Sequence, residues 1–301
     1  MDMTEGRKAR AAIEGRGPAQ RVTAPAYSKT RWGTHIALII VCIIVCLPAL
    51  YALQVATLTT EESFTVPPIL FPPSDDLISN VRTLFISRGF DLLIINTTIV
   101  SLAVVILKTI LAMGAGLAFV YFQFPGKWFL FFFVLLTLLL PTEIILQPLF
   151  RQVSELGWIA SGNSRLALTM PFTASAIGAF LFRQHFSNIP REMAEAAQID
   201  GAGSFRFLIA VLIPMSWNII GAHAMIQFLA TWNQYVWPLF VVPDIEDQVI
   251  QVGVAQAATV SGQADFGLLM TAGLIASIPP LILFILLQKQ FMSGFAITRD
   301  K

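Results

Sequence analysis

Residues 190–214 read PREMAEAAQIDGAGSFRFLIAVLIP, and they form the only sizeable polar interruption in the second half of an otherwise apolar chain. Pro190 suits the start of a helix. Glu192 and Glu195 follow in the first turns, where carboxylates favour the positive end of the helix dipole. Gly201 allows a sharp turn, and an apolar helical pattern resumes beyond it. The stretch therefore predicts a short helix, a glycine turn and a second helix.

The composition of the chain indicates an integral membrane protein. Of its 301 residues, 56% are hydrophobic and only 12% are charged, whereas soluble domains carry roughly 25% charged residues. Cys42 and Cys46 are the only cysteines, and their place inside an apolar run indicates packing rather than a disulfide framework. The three histidines form no cluster with them, so no metal site is predicted.

Six apolar runs approach or exceed the ~20 residues that a membrane helix needs. The runs cover about 35–58, 92–122, 128–150, 166–182, 208–242 and 266–287. The first is too long for a signal peptide, and the polar stretch 59–91 must lie outside the hydrocarbon. We therefore predict an all-α membrane protein with about six transmembrane helices. Residues 1–32 are predicted to be a disordered basic cytoplasmic tail, and 33–301 the transmembrane domain that includes the loop 190–214.

The distribution of basic residues predicts the orientation. With six spans, both termini share one side with Lys127 and the loop 190–214. That side holds fourteen of the 19 Lys and Arg residues, and the opposite loops hold four. Because basic residues accumulate on the cytoplasmic side, both termini and the loop are predicted to be cytoplasmic.

The loop also carries a recognisable motif. E-A-A at 195–197, G at 201 and V-x-I-P at 211–214 resemble the EAA loop of ABC-importer permeases, with valine and isoleucine in place of isoleucine and leucine. The resemblance implies a type I importer permease architecture in a bacterial cytoplasmic (inner) membrane, in which this loop docks into a separate cytoplasmic ATPase. The coupling residues that it implies are Glu195, Ala196, Ala197, Asp200 and Gly201.

The resemblance extends over roughly residues 90–295. L-F-R-Q at 181–184 and W-N-Q-Y-V-W-P-L at 232–239 are similar to permeases of carbohydrate-type importers, and most similar to the glycerol-3-phosphate branch. The implied partners are a second permease subunit, two copies of the ATPase and an extracytoplasmic solute-binding protein, besides membrane lipid and without nucleic acid. The chain itself has no G-x-x-x-x-G-K-[ST] phosphate loop. ATP and Mg²⁺ are therefore expected on the partner ATPase, and neither a cofactor nor enzymatic activity in this chain.

Two charged residues lie well inside apolar runs, where an unpaired charge costs several kcal/mol. Counted along straight helices, Lys108 and Glu143 lie at matching depths on neighbouring spans. An ion pair between them is the simpler interpretation. The alternative is that Lys108 presents a positive charge to an anionic solute.

The fifth run ends in aromatic and amide side chains. Tryptophans at this level are typical of the interfacial aromatic belt, and aromatic faces beside amides also suit a polyol solute. His223, Gln227 and Gln234 recur at helical spacing and predict a polar face. The solute candidates on this run are Gln227, Trp232, Asn233, Gln234 and Trp237.

The leading interpretation is a permease subunit for glycerol 3-phosphate or a related glycerophosphodiester. Three alternatives to it remain open. The same permease role could serve a neutral sugar or an oligosaccharide. A self-sufficient secondary transporter would be expected to show internal repeats and a coupling-ion site, and the sequence shows neither. A membrane-embedded enzyme would need a catalytic dyad, for which a mutually paired Lys108 and Glu143 are poor candidates.

Overall fold

The computed structural model describes residues 32–64, 74–159, 162–260 and 263–295. Residues 1–31 of the predicted tail 1–32 lie outside this part, and Trp32 is the first residue of a helix. The chain consists of two compact units, and the boundary between them lies between Leu50 and Tyr51. The division falls inside the first helix, α1, which covers Trp32–Ala56. The remainder of the fold belongs to the second unit.

The helices follow one another with short connections. They are α2 (Asp76–Ser87), α3 (Phe90–Tyr121), α4 (Lys127–Leu136), α5 (Thr142–Glu155), α6 (Ser164–Thr169), α7 (Ala176–Ser187), α8 (Arg191–Ile199), α9 (Ser204–Phe207), α10 (Ile213–Met215), α11 (Trp217–Trp232), α12 (Val236–Val241), α13 (Ile250–Ala257) and α14 (Phe266–Phe295). Short 3₁₀ segments cover Glu62–Phe64, Thr137–Leu139, Met170–Phe172 and Ile245–Asp247, and a π-helix covers Leu208–Leu212. One antiparallel pair joins β1 (Thr259–Val260) to β2 (Gln263–Ala264). The predicted all-α class is confirmed.

Three helices, α1, α3 and α14, are individually long and apolar enough to span a membrane. Three bent pairs raise the number of spans to as many as six, if each pair counts as one. The pairs are Lys127–Leu139 with Ile144–Glu155, Ser164–Phe172 with Ala176–Ser187, and Ser204–Met215 with Trp217–Trp232. This count refers to the described residues and agrees with the prediction of about six.

Three predicted runs are not the continuous helices that the sequence suggested, and the fourth, 166–182, bends by 43° between Phe172 and Ala176. The third run bends by 104° between α4 and α5. Leu140 and Pro141 are extended there, because a proline disfavours helical backbone in the residue before it. The fifth run, 208–242, was predicted as one span. It bends by 83° near Pro214 and ends at Trp232, after which α12 forms a separate helix.

The polar stretch 59–91 contains more regular structure than a loop. Thr59 and Glu62 form a reciprocal cap, in which the Thr59 backbone N–H donates to Glu62 Oε2 (3.0 Å) and the Glu62 backbone N–H donates to Thr59 Oγ1 (3.2 Å). The backbone hydrogen bond from Thr59 lowers the pKa of the Glu62 carboxyl below its ordinary value. Farther along, α2 buries Leu84 completely.

Helix α3 is the centre of the second unit and packs against both α7 and α11, while α11 packs against α14. Small residues permit the closest of these approaches. A Cβ on Gly116 of α3 would lie 2.8 Å from Phe182 Cβ and 3.0 Å from the Phe182 backbone carbonyl carbon. A Cβ on Gly178 of α7 would lie 2.6 Å from His223 Nε2 and 2.7 Å from Ala112 Cβ. Such small-residue contacts are typical of helix pairs in membranes.

Candidate functional site

The loop between α7 and α9 has the predicted helix–turn–helix form. Pro190 precedes α8, and Gly201 follows it with a φ of +70°. The Gly201 N–H donates to the Gln198 carbonyl (3.0 Å) and the Ala202 N–H donates to the Ala197 carbonyl (2.9 Å). These two bonds make a Schellman cap, whose left-handed position favours glycine. The glycine of the motif is thus explained by local geometry.

Helix α8 has an inner and an outer face. Ala197 is 8% exposed and belongs to a core cluster with Phe186 and Leu212. The other four residues of the predicted coupling set are exposed: Glu195, Ala196, Asp200 and Gly201. The sequence grouped Ala197 with these residues, but its methyl group packs against the chain's own core, so its part is to seat the helix.

Two large apolar side chains on the loop are almost fully exposed. Ile199 is 86% exposed and Phe205 is 75% exposed, and Met193 on α8 is 42% exposed. They surround a polar turn that includes Asp200. Exposed apolar side chains rimmed by polar groups are typical of protein–protein contact surfaces. The sequence analysis did not select these residues, although their apolar character within a polar stretch was the available signal.

A polar cluster lies inside the helix bundle, between α3 and α11. Lys108 Nζ donates to Gln227 Oε1 (2.9 Å), and Thr109 Oγ1 lies 3.2 Å from His223 Nδ1. Lys108 is half-buried, while His223 and Gln227 are buried. Two members of the predicted polar face of the fifth run, His223 and Gln227, therefore contact α3. Gln234, the third member, lies beyond the end of α11.

The predicted ion pair of Lys108 with Glu143 is neither confirmed nor contradicted, because the Glu143 side chain lies outside the part that the structure describes. The count of depth that supported it assumed a straight helix. Glu143 instead lies in the first turn of α5, immediately after the bend. The side-chain partner of Lys108 in the described part of the chain is the neutral amide of Gln227.

Both tryptophans among the solute candidates are buried packing residues. Trp232 is 1% exposed, and its ring N–H donates to the Ala276 carbonyl of α14 (3.0 Å). Trp237 is 4% exposed, and its ring N–H donates to the Ala167 carbonyl of α6 (3.1 Å). Neither ring is open to a solute or to lipid in this chain, which corrects both sequence interpretations.

Asn233 remains accessible, in contrast to its neighbour Trp232. It accepts a hydrogen bond from Gln251 Nε2 at its Oδ1 (3.2 Å). The two amides line a pocket of about 330 Å³ together with Ser277 and Pro280. The pocket combines amide, hydroxyl and apolar surface, which suits a small polar solute or a partner helix.

A second polar network at the other end of α3 escaped the sequence analysis. Asn96 Nδ2 donates to the backbone carbonyls of Glu246 (2.7 Å) and Gln248 (3.3 Å). Arg165 donates to Asn96 Oδ1 (3.1 Å). The network ties α3 to the start of α6 and to the segment before α13. Its partners lie 69 to 152 residues apart, so no local spacing could have indicated it.

Comparison with known proteins agrees with this architecture. A family model described as binding-protein-dependent transport system inner membrane component matches residues 108–296. The sn-glycerol-3-phosphate transport system permease protein UgpE of Brucella melitensis is 34% identical over 272 residues, which cover 88% of this chain and 95% of the relative. The protein of the same name in Agrobacterium fabrum is 32% identical with the same coverage.

Among solved structures, a bacterial ABC transporter involved in the import of the acidic polysaccharide alginate has a similar fold. The TM-score is 0.74 over 89% of this chain and 100% of that chain, with 21% sequence identity. An apolar helical domain with up to six spans and an exposed helix–turn–helix loop is a membrane transport subunit of the type I ABC importer fold. The chain belongs to the family of inner membrane components of binding-protein-dependent transport systems.

Proposed function

We propose that the chain forms half of the translocation pathway for glycerol 3-phosphate or a related glycerophosphodiester. The observation that carries the solute class is Lys108. It lies in the apolar helix α3, and its hydrogen-bond partner, Gln227, is neutral. An amide satisfies one donor of the ammonium group but does not neutralise its charge, so among the described side chains the positive potential of Lys108 is available to a phosphate. The relatives named for sn-glycerol-3-phosphate transport support the same solute.

Variants of the Lys108–Gln227 pair can distinguish a contact with the solute from a purely structural hydrogen bond. Lys108→Met alone leaves the buried amide of Gln227 without its donor. Lys108→Met with Gln227→Leu removes both polar groups, and a purely structural pair should then be dispensable. If Lys108 contacts the phosphate, the double variant should assemble normally yet take up glycerol 3-phosphate with a KM about 10- to 100-fold higher.

Uptake into vesicles that contain the reconstituted transporter measures this effect. Lys108→Arg, which keeps the charge, should retain most of the uptake, and assembly yield is scored for every variant. Normal uptake by the double variant would remove Lys108 from the solute contacts. Absence of glycerol 3-phosphate uptake by the wild-type transporter would instead favour a neutral sugar or oligosaccharide as the solute of the same permease.

The partners of the chain follow from the same proposal. A second permease subunit would complete the pathway, and an extracytoplasmic solute-binding protein would deliver the solute. Two copies of an ATPase would bind ATP and Mg²⁺, and one copy would receive the loop around α8. The exposed Ile199 and Phe205 beside the Glu195 carboxylate support such a contact, because they combine apolar area with one charge.

This proposal places the α8 loop and both termini in the cytoplasm. Ser204 beside the loop and Ser87 at the end of α2 are both exposed, so each can be replaced by cysteine after Cys42 and Cys46 are changed to alanine. In intact cells a membrane-impermeant maleimide should label Ser87→Cys and not Ser204→Cys. Inverted membrane vesicles should give the opposite result. Labelling of Ser204→Cys in intact cells would reverse the orientation.

A further inference from the structure

A pocket of about 490 Å³ lies where the end of α3, the start of α4, the end of α7 and the start of α8 meet. Its lining includes three basic side chains, Lys127, Arg183 and Arg191, and a single carboxylate, Glu195. The remaining lining is mostly aromatic and aliphatic. The pocket therefore has an excess of positive charge beside apolar surface.

Two of the cations are held in place without a carboxylate. Lys127 Nζ donates to the Phe122 carbonyl (2.8 Å) at the end of α3, where the helix dipole favours a cation. The Arg183 guanidinium carbon lies 4.3 Å from the Phe131 ring centroid and 4.9 Å from that of Trp128. These contacts fix the position of the cations and leave their charge uncompensated. In the part of the chain that the structure describes, no carboxylate forms an ion pair with them or with Arg191.

The pocket borders an exposed, largely aromatic side of α4. Trp128, which lines it, is 60% exposed, and Phe129 and Phe132 on the same helix are 77% and 62% exposed. Exposed aromatic rings next to a helix end are typical of the level of lipid headgroups. Basic pockets between membrane helices at this level bind anionic headgroups. Ile199 and Phe205, the exposed apolar residues of the loop, do not line this pocket.

We propose that the pocket binds the phosphate group of an anionic phospholipid. Arg183 and Lys127 would contact the phosphate, and Trp128 and the aromatic rings of α4 would contact the first part of the acyl chains. The headgroup would then lie against Arg191 at the start of α8 and would help to fix the position of this helix. A soluble phosphate would use the same cations, and an acidic segment of a partner protein is the other possible occupant. The border with exposed aromatic rings favours lipid over both.

The test measures lipid binding rather than transport, so it is independent of the proposed solute. The complex that contains the full-length chain is purified from its own membrane and delipidated in detergent. Phosphatidylglycerol or phosphatidylcholine is then titrated, and native mass spectrometry counts the retained lipids. The Lys127→Gln/Arg183→Gln variant is compared with an Arg82→Gln/Arg206→Gln control, which loses the same charge from exposed residues outside the pocket.

Wild type and control should retain at least one phosphatidylglycerol in preference to phosphatidylcholine. The pocket variant should bind it roughly 30-fold more weakly. Equal retention of both lipids by wild type, or equal weakening in the control, would overturn the proposal. Displacement of the lipid by millimolar inorganic phosphate would identify a soluble anion instead. Loss of a protein subunit from the pocket variant, with lipid retention unchanged, would assign the pocket to a partner protein.

Discussion

Replacing Gly116 with alanine should destabilise the folded chain by about 1–3 kcal/mol. The new methyl group would lie 2.8 Å from Phe182 Cβ, 3.0 Å from the Phe182 backbone carbonyl carbon and 3.1 Å from the Arg183 backbone nitrogen. Two of these atoms belong to the backbone of α7, which cannot move without displacing the whole helix. Since α3 packs against both α7 and α11, the separation would also strain the polar cluster of Lys108 and Gln227.

Gly114 provides a matched control on the same helix. A Cβ at Gly114 meets nothing within 4 Å, and alanine is favoured over glycine inside a helix by up to about 1 kcal/mol. Gly114→Ala should therefore leave the thermal unfolding midpoint of the purified chain unchanged or raise it, whereas Gly116→Ala should lower it. An equal response of the two variants would mean that α3 and α7 do not approach each other this closely.

The loop was predictable because its information is local. A proline before the helix, carboxylates in its first turns and a glycine after its end each act within a few residues. The structure confirms all three features at Pro190, Glu192 and Gly201. What local patterning did not separate was Ala196 from Ala197. One faces outward and the other inward, and that choice depends on how the helix is seated on Leu212 and Phe186.

The bends were not predictable from hydropathy, because the hydropathy of a run reports how apolar it is and not whether its helix axis is straight. Residues 128–150 and 208–242 read as continuous membrane segments, yet the chain turns by 104° and 83° within them. Pro141 and Pro214 mark both places, but prolines do not always bend a span. The helix α14 continues through Pro279 and Pro280. Neighbouring packing decides which prolines break a helix.

The partners of buried polar groups were also beyond the sequence. A lysine inside an apolar run must be paired, and Glu143 was the nearest charge by counted depth. The Glu143 side chain lies outside the described part, and the partner found within that part, Gln227, lies 119 residues away on α11. Similarly, a tryptophan near a membrane surface has an apolar ring and one polar atom. The ring N–H of Trp232 donates to the backbone carbonyl of Ala276 inside the bundle. This hydrogen bond depends on the packing of α11 on α14, which the sequence does not show.

Replacing Gly201 with leucine should abolish most solute-stimulated ATP hydrolysis and uptake, if the loop docks into an ATPase as proposed. A Cβ at Gly201 meets nothing within 4 Å in the described part of this chain, so the first atom of a new side chain has open space around it. The remaining cost is the left-handed backbone, which disfavours a residue with a side chain by roughly 1–2 kcal/mol. The expected loss of coupled activity, about a hundredfold or roughly 2.7 kcal/mol, would exceed that intrinsic cost.

Gly157 is the matched control, because it closes α5 with the same motif. Its φ is +71°, its N–H donates to the Ser154 carbonyl (3.0 Å), and a Cβ there also meets nothing within 4 Å. Gly157→Leu therefore imposes the same backbone strain on the opposite side of the predicted membrane. We expect Gly157→Leu to assemble and to couple ATP hydrolysis to uptake, whereas Gly201→Leu should insert into the membrane but fail to retain or stimulate the ATPase. Similar activity of the two variants, measured in reconstituted vesicles, would show that Gly201 serves only to end α8.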